Sequence, residues 1–295
     1  MADPDTFAGD AATVDRMLQI NGTNYRLCLL DTNALSEMVK QPDVLAHYYE
    51  WAMAERPYFV PCFSLFSVLE LRRRPELYRT FIERFDALPC FLLKSHEQLL
   101  EDETQHYPDP STIDPSLLAF SPLGSDGNRL AKVFDRISTD TTFTSQERYW
   151  NDEAAGIVEG VTSLVANYPP SASTYTSREV RNFVFIAGFS QIAMRQNDFM
   201  KRGLDRGEAL DINAFPSVKA TTYTVLHKFY VDKGRKPSRS DAFDMIISTA
   251  VPYVEAVVTE NHQADVLRKT KRRDSFIRHV RVFTLRDFRQ RAPAA

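Results

Sequence analysis

Residues 26–40 read RLCLLDTNALSEMVK. The apolar run 26–30 has the pattern of a short buried strand, which ends in Asp31-Thr32-Asn33 and passes directly into a helical stretch, ALSEMVK. An acid at the end of an apolar strand stands where parallel sheets present ligand-binding groups. Further along, the unit repeats. Pro42 and Asp43 open a helix that runs to about Glu55, and Pro57 ends it before a second strand at 58–63. Ser64 is placed to cap the helix SLFSVLELRRR, Pro75 restarts a helix, and 89–94 is a third strand. Strand alternating with helix at this spacing predicts an α/β domain with a parallel sheet flanked by helices.

The alternation stops near Ser95 and resumes past residue 217. Between them lie helical patterns at 129–137, 146–166 and 178–202, joined by loops such as YPDPSTIDPS. A helix at 240–250, a strand at 255–259, a basic helix at 262–273 and a strand at 280–285 restore the earlier style. The expected organisation is a leader at 1–24, an α/β domain in two parts at 25–94 and 218–295, and a mainly helical insertion at 95–217.

The chain has 295 residues, 43% hydrophobic and 25% charged, which excludes the disordered, collagen-like and coiled-coil classes. Its net charge of -3 conceals opposed regions: 95–215 holds 10 basic and 18 acidic residues, whereas 233–295 holds 14 basic and 7 acidic. Local fields, not the average, decide which anions approach. Cys28, Cys62 and Cys90 are odd in number, form no CxxC, and sit in apolar runs, as core thiols do. No signal-peptide pattern and no apolar run of spanning length occurs, so the expected location is the cytoplasm, without membrane attachment. Asn21-Gly22-Thr23 then reads as a turn. No HExxH, P-loop, GxSxG or GxGxxG is found, which argues against zinc hydrolase, NTPase, serine hydrolase and dinucleotide readings.

Acids recur at four places that such a sheet would bring together. Asp31 closes the first strand, Glu70 lies among apolar neighbours in SVLEL, Asp241 and Asp244 share one side of SDAFDMII, and Glu260, Asn261 and Asp265 follow EAVVT. Each has a structural alternative: Asp31 as a helix cap, Glu70 as an ion-pair partner of Arg73 or Arg74, Ser240 or Asp241 as a cap, and Asp265 as an exposed acid on a basic helix. Together they would repel one another unless a cation intervened. Hard oxygen donors of this kind suit Mg²⁺ or Mn²⁺, which activate water against phosphorus. Basic runs flank them at 72–74, at Lys233, Arg235, Lys236 and Arg239, and at 268–273, which favours a phosphate-bearing substrate; Arg73, Arg74 and Arg239 are the expected phosphate contacts. Tyr149, Trp150, Phe183, Phe185 and Phe189 fit a core, with base stacking as the alternative.

The stretches LCLLDTNALSE, SVLEL and SDAFDMIISTAVPYVEAVVTENHQADVLRK resemble the PIN-domain nucleases, a family that includes toxin ribonucleases of toxin–antitoxin pairs. The resemblance covers about 25–94 and 233–290. It implies a PIN-like fold and makes Asp31, Glu70 and Asp244 catalytic metal-site acids, with Asp241 a supporting ligand. Glu260 is the favoured fourth acid, with Asn261 and Asp265 as alternatives; Asp265 is offset by one from the commonest late position. Asn33, Thr32 and Thr259 would position these groups. The implied activity is metal-dependent hydrolysis of RNA to 5′-phosphate products, in a toxin, defence or processing role. RNA, an antitoxin or other regulatory protein, and a second copy of the chain are the implied partners. The alternatives are a non-catalytic PIN-fold binding module that works through the acidic insertion, and a metal phosphatase of small phosphate esters.

Overall fold

The structure, a computed structural model, describes residues 18–20, 22–122, 129–171, 174–207, 209–232 and 235–289. Asn21 and Lys233 therefore lie outside the described residues. The apolar run after Arg26 forms the second half of strand β2 (Thr23–Leu30). Its residues alternate between two buried faces, Leu27 and Leu29 on one and Cys28 and Leu30 on the other. A short strand, β1 (Leu18–Ile20), pairs antiparallel with the start of β2 through a turn at Gly22, whose φ of 79° suits a residue without Cβ. The segment expected to be a polar leader thus supplies a strand. Three residues of LQI are too short for their alternation to stand out.

Asp31 caps α1 (Thr32–Lys40) by accepting from the Ala34 N–H at 2.7 Å. Then follow α2 (Pro42–Ala54), β3 (Tyr58–Phe63), α3 (Leu65–Arg72), α4 (Pro75–Phe85) and β4 (Cys90–Leu93). Pro42 and Pro75 sit in the first helical turn, and Ser64 caps α3, each as the sequence predicts. Helix α5 (His96–Gln105) starts on a Ser95–Gln98 capping box.

The segment expected to be mainly helical differs in one respect. It contains strand β5 (Ser116–Phe120), antiparallel to β4, which extends the same sheet. As an edge strand it leaves Leu117 and Leu118 about 40% exposed, so its apolar run carries no clean alternation. The rest is helical: α6 (Leu130–Thr139), α7 (Thr141–Asn167), α8 (Ser177–Arg195) and α9 (Asn197–Asp205). The helix expected over 178–202 is two, because Gln196 leaves helical geometry at φ -128°, ψ 51°. Helix α10 (Pro216–Val225) runs into a π-helical turn, Leu226–Val231. The chain ends through α11 (Arg239–Ser248), β6 (Ala256–Thr259), α12 (Asn261–Arg273), β7 (Arg281–Thr284) and α13 (Leu285–Arg289).

The fold is α/β, with a mixed sheet ordered β5-β4-β3-β2-β6-β7 between layers of helices. From β2 the chain steps outward through β3 to β4, then returns to place β6 on the other side of β2. Strand order reverses there, and in α/β sheets ligands generally bind beyond the carboxyl ends of the strands at such a point. One face packs on α1, α2, α4 and α6; the other packs on α5, α12 and the end of α11. A third core joins α3, α7, α8, α10, the π turn and α11 beside the carboxyl edge of the sheet. The three cysteines are free and buried, and burial pushes the Cys28 thiol up to about 12. Among the described residues no helix is long and apolar enough to cross a membrane.

Candidate functional site

At the reversal point Leu30 pairs with Val258, and the Asp31 N–H donates to the Val258 carbonyl at 3.2 Å. This register sets Thr259 beside Asp31. The Thr259 hydroxyl donates to Asp31 Oδ2, and the Glu260 N–H reaches the same oxygen at 3.3 Å. Burial nevertheless pushes the Asp31 carboxyl up to about 6; these donors and Ala34 oppose the rise, and the charge of Asp244 adds to it.

Glu70 enters from α3. Burial raises its carboxyl, the Thr32 hydroxyl and Arg73 oppose that, and Asp244 again adds to it. The same Thr32 hydroxyl lies 3.1 Å from Ser67 Oγ, which pins α1 to α3. Asp244 projects from α11, so strand β2 and two helices far apart in sequence bring Asp31 and Glu70 each within electrostatic reach of Asp244. Asp31 thus caps α1 and at the same time feels the charge of Asp244.

Glu260 occupies the N-cap position of α12 but makes no side-chain cap bond; it accepts from Asn33 Nδ2 at 3.3 Å instead. Asn33 and Glu260 therefore stand together beside Asp31. Asn261 is exposed at the start of α12. Asp265 turns elsewhere, to an ion pair with Lys269 at 2.7 Å that holds its carboxyl below the usual range.

Asp241, expected as a supporting metal ligand, has partners within the chain. Both of its oxygens are committed: Oδ1 to Arg235 at 2.5 Å and Lys228 at 3.3 Å, and Oδ2 to the Ser238 hydroxyl at 2.6 Å and N–H at 3.1 Å. The helix cap is Ser238, not Ser240 or Asp241, and Asp241 closes the capping box from the third helical position. Burial works against its charge, but the Ser238 and Arg235 bonds and Lys228 hold it below the usual carboxylate range.

Lys228 itself is fully buried, and its Nζ also lies 2.6 Å from Asp244 Oδ2. Sequence reasoning missed it. The available signal was a lone lysine in the apolar run TVLHKFYV, which needs a buried counter-charge.

The basic flanks divide. Arg73 and Arg239 both donate to Asn151 Oδ1 on α7, and the charges of both oppose the rise of the Glu70 carboxyl. Arg74 is exposed at the cap of α4, and Arg235 is spent on Asp241. The run at 268–273 serves the sheet edge: Arg268 and Lys271 bind carbonyls of Val282 and Val280, while Lys269 pairs with Asp265 and Asp232. Trp150 packs into the core on Phe66, ring centroids 5.0 Å apart, and Phe183 packs on Tyr230. Tyr149 and Phe185 remain about half exposed.

A second group also escaped sequence reasoning. His96, Glu97 and Glu153 place one ligand atom each within 4.8 Å of one another. The Arg195 guanidinium already stands 2.7 Å from Glu153 Oε1 and 3.1 Å from His96 Nε2, so an internal cation fills this place and ties α5, α7 and α8 together. A cavity of about 240 Å³, lined by Tyr107, Phe189, Phe199 and Leu204 among others, shares no residue with the carboxylates. No family model, curated protein or solved structure matches the chain.

Proposed function

We propose that the chain is a Mg²⁺- or Mn²⁺-dependent endoribonuclease with a PIN-like domain, in which Asp31, Glu70, Asp244 and Glu260 hold the metal. The observation that carries this reading is the convergence of Asp31, Glu70 and Asp244 beyond the carboxyl ends of β2 and β6, with the charge of Asp244 acting on the other two. Gathering desolvated carboxylates is costly, and the cost is relieved when a cation is shared among them. The donor set is all oxygen, as Mg²⁺ and Mn²⁺ prefer. Bound there, such an ion supplies Lewis acidity and a water of lowered pKa.

The chain's own residues do the rest. Thr259 and the Glu260 N–H fix the Asp31 carboxylate, and Asn33 orients Glu260. Arg73 and Arg239 stand ready to take phosphates of the polyanion, with Asn151 holding their guanidinium groups until RNA arrives. Segment 95–217 then acts as an insertion that shapes access, since α7 brings Asn151 and Trp150 to this edge.

A second reading, a non-catalytic PIN-fold binding or assembly module, draws on Lys228 and Arg235, which neutralise part of the acidic cluster from within the chain. The test incubates purified protein with labelled single-stranded RNA or DNA and Mn²⁺, with EDTA and Asp31→Asn as controls. RNA cleavage to 5′-phosphate ends, abolished by both controls, is expected. Cleavage that survives both controls overturns the metal–carboxylate mechanism, and no cleavage of either polymer favours the binding module.

A further inference from the structure

Lys228 is a fully buried cation inside a cluster of acids, and the backbone goes out of its way to deliver it. Helix α10 widens into the π turn Leu226–Val231, in which the Asp232 N–H reaches back to the His227 carbonyl at 3.0 Å. π turns of this kind concentrate at functional sites, because the extra residue re-aims side chains that an α-helix would point elsewhere. Here it aims Lys228 at Asp244 and Asp241, 2.6 and 3.3 Å away. A buried ammonium without such partners would be strongly unfavourable.

The charges then balance unevenly across the cluster. Asp241 and Asp244 face two cations of the chain, Lys228 and Arg235. Among the described residues Asp31 accepts from neutral donors, Thr259, Glu260 and Ala34, and Glu260 accepts from the neutral Asn33 amide. One half of the site is therefore compensated by cations bonded to it, whereas Glu70, in the other half, feels Arg73 and Arg239 only as nearby charges that are themselves held at Asn151.

We propose that Lys228 is the resident cation of this cluster, standing in for a second metal, so that the site accepts a single divalent ion at Asp31, Glu70, Glu260 and the Asp244 oxygen turned away from Lys228. The inference rests on the metal-dependent nuclease reading and adds the stoichiometry of that site. Lys228 acts as a positioning residue, since it fixes Asp244 and denies a second ion its ligands.

The test counts Mn²⁺ bound by the full chain, without nucleic acid, by titration calorimetry and by the electron paramagnetic resonance signal of free Mn²⁺. Wild type is expected to bind one ion, Lys228→Arg one, and Lys228→Met two, the second drawn to the carboxylates that lost their ammonium. A merely structural lysine would leave the count unchanged. Two ions on wild type, or one on folded Lys228→Met, overturn the inference while the nuclease reading stands. A wild-type chain that binds no Mn²⁺ overturns the nuclease reading and the inference together. The wild-type count decides even if Lys228→Met does not fold.

Discussion

The Thr259 hydroxyl donates to Asp31 Oδ2, joining two strand ends that lie 228 residues apart in the chain. Both side chains are buried, and the bond works against the burial that pushes the Asp31 carboxyl up to about 6. Without it, a proton competes more strongly for the oxygens that the proposed metal needs. Thr259→Val keeps the shape of the strand and removes the donor. Outer partners of metal ligands are typically worth about 10–100-fold in affinity or activity. Mn²⁺ affinity and RNA cleavage should both fall by that amount, and the loss should shrink as pH rises, because Asp31 is then increasingly ionised even without the bond. A loss independent of pH would mean that Thr259 acts by orientation alone.

Asn151 gathers the guanidinium groups of Arg73 and Arg239 at one carbonyl oxygen. If those groups take phosphates, each contributes to the salt dependence of RNA binding, with a slope of log affinity against log salt of about 0.7 per contact for a single strand. In an Asp31→Asn background, which blocks cleavage, Arg73→Ala and Arg239→Ala should each flatten that slope by about this amount when binding of a labelled single-stranded RNA is followed by anisotropy. Arg268→Ala should leave it unchanged, because that side chain is bound to the Val282 carbonyl at the sheet edge. A slope insensitive to Arg73 and Arg239 would remove both from the interface.

What could be read from the residues, and what could not, follows from the range of the forces involved. Asp31, Glu70 and Asp244 were legible because each interrupts or closes an apolar stretch, and a strand order that brings such positions together is common in α/β proteins. Strand β5 was hidden because an edge strand needs only one buried face, and Ser116–Phe120 exposes Leu117 and Leu118. Lys228 was hidden because its partners lie 13 and 16 residues on, across a π turn that no local periodicity announces. The partners of Asp241, Arg268 and Lys271 were hidden for the same reason. An acid beside Ser238 and a base beside an unpaired carbonyl find those partners first, whatever their place in a motif.

Glu103 offers a pH signature separate from the candidate site. It lies on α5, wholly buried, and accepts from the Ser217 N–H and hydroxyl, both at 2.6 Å, and from the Tyr253 hydroxyl at 2.5 Å. Burial outweighs these bonds and pushes its carboxyl from 4.5 up to about 7. A raised pKa in the folded state favours the protonated acid there. Its stabilising effect is complete below pH 4.5, declines as the unfolded chain ionises first, and is exhausted once pH passes about 7. The shift corresponds to on the order of 3 kcal/mol across that window. Acids held below their usual range, such as Asp241, act in the opposite sense at lower pH, so the measurement must be a difference. Unfolding of wild type and Glu103→Gln by denaturant, compared at steps from pH 4.5 to 7.5, should show wild type losing ground to the variant throughout the window and no further above it. A difference that does not move with pH would mean that Glu103 is ionised in the folded chain, its three donors having offset the desolvation in full.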